Sequence, residues 1–65
     1  MKLWIARNKY DSLWLFNRKP FLGEDECWVA QGDDAEAYVI DDELFPEVTF
    51  ENSPQEVELK LVNNE

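Results

Sequence analysis

The chain has no histidine, one cysteine and two glycines among its 65 residues. Histidine is the side chain that most often acts as a general base near neutral pH and a common metal ligand, so its absence argues against the usual hydrolytic and zinc chemistries. Cys27 has no second thiol with which to form an internal disulfide, a bond on which small secreted domains usually depend. Gly23 and Gly32 stand apart, which excludes a glycine-rich phosphate loop.

Long apolar runs are also missing. The apolar stretch before Arg7 has four residues, fewer than a signal-peptide core needs, and no later stretch approaches the roughly 20 residues of a membrane span. We therefore expect a cytoplasmic protein with no signal peptide and no membrane association.

Candidate catalytic and metal-binding residues lack the partners that their chemistry needs. Ser12 and Ser53 fall in predicted turns without a candidate base, and the acids before Cys27 disfavour its reactive thiolate. The acidic clusters at 33–36 and 41–43 do not have the spacing of a calcium loop. The sequence therefore predicts no enzyme activity, no cofactor and no metal.

Charge is the most uneven feature of the chain. Fifteen acidic residues oppose six basic ones, giving a net charge of −9. Residues 1–22 hold five of the basic residues and one acid, whereas residues 23–65 hold the other fourteen acids. Either the two parts neutralise each other on one surface, or one of them meets a charged partner.

The composition nevertheless predicts a folded chain. Apolar residues make up 45% and aromatic residues 14%, which is too rich for a disordered protein. We expect one small domain, residues 1–65, which buries only about 60% of the surface that the unfolded chain exposes.

Alternation of side chains predicts β-strands. The runs "KLWIAR" and "SLWLFN" are expected to form a hairpin with a three-residue loop, 9–11, in which Asp11 takes the left-handed conformation. Paired residue numbers then add up to 20. This register separates an aliphatic set (Leu3, Ile5, Leu13 and Leu15) from an aromatic set (Trp4, Trp14 and Phe16), which a two-residue loop would mix. Which set faces the core stays open.

The whole chain is expected to be all-β. Three further strands are expected in "CWVA", "EAYVI" and "EVELKLV". The sequence therefore predicts a five-stranded antiparallel meander curled into an open barrel or half-barrel. Asp41 or Asp42 is expected to cap a short helical turn near residues 42–45, which Pro46 ends. Leu44 and Phe45 would then fold inward as a plug over one end of the barrel.

Two stretches carry a resemblance to a known group of proteins. "SLWLF" after a hairpin turn, and "ELFPEVTFE" followed by "EVELKL", resemble small uncharacterised bacterial and phage-encoded proteins. That group commonly reads D-G-T-L-x-L-F early and E-L-F-P-E-V-T-W-E late. Here Tyr10, Asp11 and Ser12 stand in place of Asp-Gly-Thr, and Phe50 in place of tryptophan. The resemblance implies a shared fold and a bacterial or mobile-element setting, and no activity.

The favoured function is non-enzymatic binding of another, unidentified protein through Trp4, Trp14 and Phe16 or through the segment around Phe45. An apolar hairpin face left uncovered would also favour a homodimer. One alternative is a DNA-mimic inhibitor, whose carboxylates imitate phosphates. The other is weak binding of single-stranded nucleic acid by the basic, aromatic hairpin, which the net charge of −9 disfavours.

Overall fold

The first two strands form the centre of the molecule. In the computed structural model, which describes residues 1–63, strands β1 (Lys2–Arg7) and β2 (Leu13–Phe16) pair as an antiparallel hairpin. Trp4 pairs with Phe16, and the loop closes through a bond from Asp11 N–H to Asn8 O of 3.0 Å. Asp11 has a φ of 80°. The predicted loop, register and left-handed residue are confirmed.

Four more strands complete two sheets. They are β3 (Phe21–Leu22), β4 (Trp28–Val29), β5 (Ala37–Ile40) and β6 (Gln55–Glu58). The larger sheet has the order β5-β2-β1-β6, and β3 and β4 form a separate pair. All pairings are antiparallel. The described residues contain no helix, so the all-β class is confirmed.

The predicted five-stranded meander is wrong in its connections. The strand within "CWVA" pairs with Phe21–Leu22, and "EAYVI" pairs with β2 instead. The bond from Gly23 N–H to Cys27 O, 2.8 Å long, closes the β3–β4 turn. Such a short loop has a low entropy cost, so local pairing wins. Over residues 1–63 the larger sheet stays open, with β5 and β6 as its edges, and does not close into a barrel.

The expected helical turn at 42–45 is also absent. Asp41 does cap the segment, since its side chain accepts from Glu43 N–H at 2.9 Å. Two successive turns follow, closed by Leu44 N–H to Asp41 O and by Val48 N–H to Phe45 O. A helix cannot pass through because Phe45 has a φ of 51°.

The last strand is shorter than the alternation predicted. It ends at Glu58, and the final pairing bond runs from Leu59 N–H to Met1 O. Residues 60–63 therefore lack a strand partner within the described chain, and Leu61 and Val62 are exposed.

Both faces of the central hairpin are covered. The aliphatic face carries the main core, in which Ile5, Leu13 and Val48 are buried and Leu15, Ile40 and Val57 pack around them. On the aromatic face Ala6 and Phe16 are buried as well. Both faces of the hairpin therefore contribute to the core, because a loop crosses each of them.

The loop that covers the aromatic face is attached through Trp28. Its indole N–H donates to Arg7 O at 3.1 Å, and its backbone N–H donates to Asn8 Oδ1 at 2.7 Å. Its ring lies 6.4 Å from that of Phe50, centroid to centroid. The β3–β4 pair is thereby fixed to the end of β1.

The left-handed turn residue provides a test of the hairpin. We expect Asp11→Gly to raise the free energy of unfolding by about 1 kcal/mol, because glycine adopts a positive φ without steric cost. Urea denaturation measures this difference. Asp11→Val is the matched control and should destabilise the protein; equal stabilities of the two variants would contradict the loop geometry.

Candidate functional site

A buried arginine organises one end of the sheet. Arg7 is 8% exposed and lies at the end of β1, directly opposite Leu13 on the aliphatic face. Its guanidinium donates to five backbone carbonyls at 2.5 to 3.2 Å, those of Asp11, Asp42, Leu44, Phe45 and Val48. Among the ion pairs of residues 1–63 there is none that includes Arg7. The cation is thus stabilised by carbonyl dipoles.

Four of those carbonyls belong to residues 41–48, which we term the 41–48 loop. A guanidinium has five N–H donors in a fixed plane, so it bonds several carbonyls at once and sets their relative positions. The Arg7 backbone extends this network. Its N–H donates to Ser53 Oγ at 2.9 Å, and the Ser53 hydroxyl donates to Thr49 O at 2.6 Å. Arg7 therefore holds three loop segments against the sheet.

An apolar groove of about 370 Å³ lies between the aliphatic face and the 41–48 loop. Its lining is aliphatic and aromatic except for Glu58, and consists of Leu3, Ile5, Leu15, Ile40, Leu44, Phe45, Val57, Glu58 and Leu59. Leu44 is 47% exposed and Phe45 is 48% exposed. The predicted inward plug over the end of a barrel is therefore wrong, because the sheet is open and both side chains lie about half exposed at the rim of the groove.

Phe45 combines this exposure with an unusual backbone. A bulky residue at a φ of 51° is sterically unfavourable, and such strain persists only where surrounding contacts enforce it. Here the enforcing contacts are visible, since the carbonyl of Phe45 accepts from both Arg7 and the Val48 N–H. The unfavourable backbone conformation of Phe45 lowers the stability of the fold, and it places this ring at the groove.

The four sequence-predicted binding residues do not share one surface. Trp4 and Trp14 are partly buried on the aromatic face, whereas Phe45 lies on the opposite side of the sheet. Phe16 is only 1% exposed, so its side chain presents almost no surface to a partner. The physical reason is that the loop between β2 and β5 covers this face; Lys19, for example, places its ammonium 5.5 Å from the centre of the Trp4 ring.

Ion pairs tie the basic hairpin to the acidic part of the chain. They join Lys2 to Glu56 at 3.3 Å, Lys9 to Glu26 at 2.8 Å and Arg18 to Asp34 at 2.6 Å. This agrees with mutual neutralisation on one surface. It also leaves the hairpin less cationic than its sequence suggests, which weakens the case for nucleic-acid binding.

Within the described part of the chain, the acidic side chains form no cluster that could bind a metal ion. Nowhere in residues 1–63 do three potential metal-ligating side chains come together in a way that could hold a metal ion. Likewise, the part of the chain that the structure describes includes no helix with the length and apolarity to span a membrane.

Arg7 is not among the sequence-predicted site residues, although the alternation of side chains in β1 indicates that it faces the core. Leu3, Ile5 and Arg7 alternate on one side of β1, so Arg7 continues the aliphatic face and stands opposite Leu13. A cation at a core-facing position must be paired or hydrogen-bonded. The pattern indicates that partners exist, but not that they are carbonyls from residues 42–48.

Comparison with protein-family models, with curated proteins and with solved structures finds no match for this chain. The resemblance to small bacterial and phage-encoded proteins accordingly stays a prediction.

The carbonyl network predicts that even a conservative substitution of Arg7 destabilises the protein. We expect Arg7→Lys to lower the free energy of unfolding by on the order of 2–4 kcal/mol, because three ammonium donors cannot reach five carbonyls. Urea denaturation measures this loss. Arg18→Lys, at an exposed ion pair, is the control and should leave stability nearly unchanged. Similar effects of the two changes would contradict the organising role of Arg7.

The exposed pair of Arg18 and Asp34 has a pH signature. The hydrogen bond and charge of the guanidinium lower the pKa of the Asp34 carboxyl. A lowered folded-state pKa means that the pair stabilises the fold above the unfolded pKa of aspartate and ceases to do so as the pH falls through the folded value. In Arg18→Gln the pKa of Asp34 should return towards its ordinary value, as followed by NMR of the carboxyl carbon. Lys9→Gln should leave it unchanged.

Proposed function

We propose that this protein is a non-enzymatic binding module that recognises another protein through the apolar groove, with Leu44 and Phe45 as contacts at its rim. The observation that carries the proposal is the strained, half-exposed Phe45 held in place by the buried Arg7. Strained residues that are fixed by their surroundings concentrate at functional sites.

Preorganisation supports the same conclusion. Binding a partner costs entropy when loops and side chains must be ordered, and the 41–48 loop already has its carbonyls fixed by Arg7. Aromatic and aliphatic side chains at the rim of a concave apolar surface are typical anchors of protein interfaces. The groove therefore offers contact area at a low ordering cost.

The groove also fits a partner of apolar chemistry better than a nucleic acid. Its one charged lining residue is Glu58, which repels phosphate. Association through this surface should change little between about 50 and 200 mM salt, whereas contacts to phosphates weaken steeply over that range. The groove could alternatively bind a second copy of the chain. Light scattering at micromolar concentration tests for such a homodimer.

The test of this function is the Phe45→Ala variant. Because half of the ring is in solvent, we expect a stability loss of only about 1–2 kcal/mol, below the roughly 3–5 kcal/mol of a fully buried aromatic. Capture of partner protein from a lysate of the source organism should nevertheless fall strongly. Thermal unfolding and quantitative pull-down measure the two effects.

Tyr10→Ala is the matched control for that experiment. Tyr10 is an equally large aromatic residue, 74% exposed in the hairpin loop and outside the groove lining. Its truncation should leave both stability and capture unchanged. Equal capture by wild type and Phe45→Ala would overturn the proposed function.

A further inference from the structure

The outer edge of β5 is an unprotected strand edge. β5 ends the order β5-β2-β1-β6, and over the described residues 1–63 it pairs with β2 alone. Its four residues, Ala37–Ile40, include neither a charge nor a proline. Tyr38 is 51% exposed and Val39 is 62% exposed. Natural proteins usually blunt such an edge with charges, proline or a covering loop.

The hydrogen-bond pattern shows which backbone groups face outward. Asn17 N–H donates to Glu36 O at 3.3 Å, so these two residues form a hydrogen-bonded pair of the β2–β5 ladder. Bonded and non-bonded pairs alternate along antiparallel strands. Tyr38 and Ile40 therefore direct their N–H and C=O groups to β2, whereas Ala37 and Val39 direct theirs away from the sheet.

The opposite edge of the sheet is built differently. β6 carries Glu56 and Glu58 within the strand itself, and such charges discourage the addition of another strand. In β5 the acids lie outside the strand, at both of its ends: Asp33, Asp34 and Glu36 precede it, and Asp41, Asp42 and Glu43 follow it. Asp34 is paired with Arg18, whereas the other five acids take part in none of the ion pairs of residues 1–63. The result is a short apolar edge between two negative ends.

This charge pattern selects against a second copy of the chain. If two β5 strands paired antiparallel around Tyr38, Glu36 of each would lie beside Asp41 of the other, and Asp34, which is paired with Arg18 of its own chain, would face Asp42. Pairing around Val39 would place Glu36 opposite Asp42. Like charges directly opposite each other destabilise a pair of strands. The same ends attract a strand with basic residues on either side of an apolar centre.

We propose that the free edge of β5 accepts an extended segment of a partner protein as an added strand, and that this segment alternates apolar residues between basic ends. The backbone groups of Ala37 and Val39 bond the segment. Its side chains alternate between the two faces of the sheet, so one set lies beside Tyr38 and the other beside Val39. In naming a protein as the ligand, this inference rests on the proposed function. It adds the chemistry of the segment and the strand that receives it.

A designed peptide of this chemistry tests the inference directly. The probe has six alternating valine and threonine residues between two lysines at each end, and it is titrated into the full chain labelled with ¹⁵N. We expect shifts of the β5 amide signals and slower hydrogen exchange at Ala37 and Val39. A peptide with glutamates in place of the lysines should bind at least about tenfold more weakly, because like charges repel.

Two changes remove the backbone bonds specifically. Val39→Pro deletes an outward N–H and no bond to β2, so the sheet stays paired, as proline tolerates such edge positions. It should abolish peptide binding, whereas Val39→Thr should keep it. With the wild-type protein, a peptide N-methylated at the amides that face β5 should bind about tenfold more weakly or not at all. The experiment with the N-methylated peptide does not depend on the folding of any variant.

The outcomes separate this inference from the proposed function. Equal binding of the N-methylated and unmodified peptides, equal binding by Val39→Pro and Val39→Thr, or no binding of the lysine-flanked peptide would each overturn strand addition. Loss of partner capture in Phe45→Ala, with capture and peptide binding intact in Val39→Pro, would leave the groove as the binding surface and remove the edge. Unchanged capture in Phe45→Ala, with peptide binding that depends on Val39 N–H, would remove the groove and leave the edge of β5 as the binding surface.

Discussion

The fold depends on one buried cation and the carbonyls around it. Arg7 stands at a core-facing position of β1, where an uncompensated charge would be prohibitively costly. Five backbone oxygens satisfy it, four of them in the 41–48 loop. This loop is rich in acids and contains Pro46, so it has little tendency to pack by itself. The guanidinium determines where the loop lies, and thereby places Val48 in the core and Leu44 and Phe45 at the rim of the groove.

A chain of this size has few elements with which to cover a two-faced apolar hairpin. The structure uses loops instead of a second layer: the 41–48 loop crosses the aliphatic face, and the segment between β2 and β5 covers the aromatic one. The coverage is complete at the centre, where Ile5, Leu13, Ala6 and Phe16 are buried, and incomplete towards the groove. The exposed apolar side chains include Leu44 and Phe45 in the 41–48 loop and Tyr38 and Val39 along β5, and these are the two surfaces to which we assign binding.

The two surfaces adjoin, because the 41–48 loop begins where β5 ends. Ile40 is the last residue of β5 and also lines the groove, so a strand added at the edge would extend the face that the groove occupies. Of the acids at the ends of β5, Asp34 pairs with Arg18 and Asp41 caps the following turn, so these two also stabilise the fold. In our proposal the acids at both ends also act on selection of the partner. Most of the basic hairpin is engaged internally through Lys2, Lys9 and Arg18. The net negative charge thus remains available to attract a basic segment.

Local rules determined the hairpin. The separation of aliphatic from aromatic residues specified its register, and Asp11 adopts the left-handed conformation that the three-residue loop requires. Period-two alternation likewise sufficed for the all-β class. The partners of β4, β5 and β6, the turns in place of a helix at 42–45 and the exposure of Phe45 were decided by tertiary structure. Each of these depends on which distant groups meet, above all on Arg7 bonding carbonyls some 35 to 41 residues further along the chain, and backbone carbonyls occur at every position. No pattern of side chains in the sequence marks which of them a buried guanidinium will select.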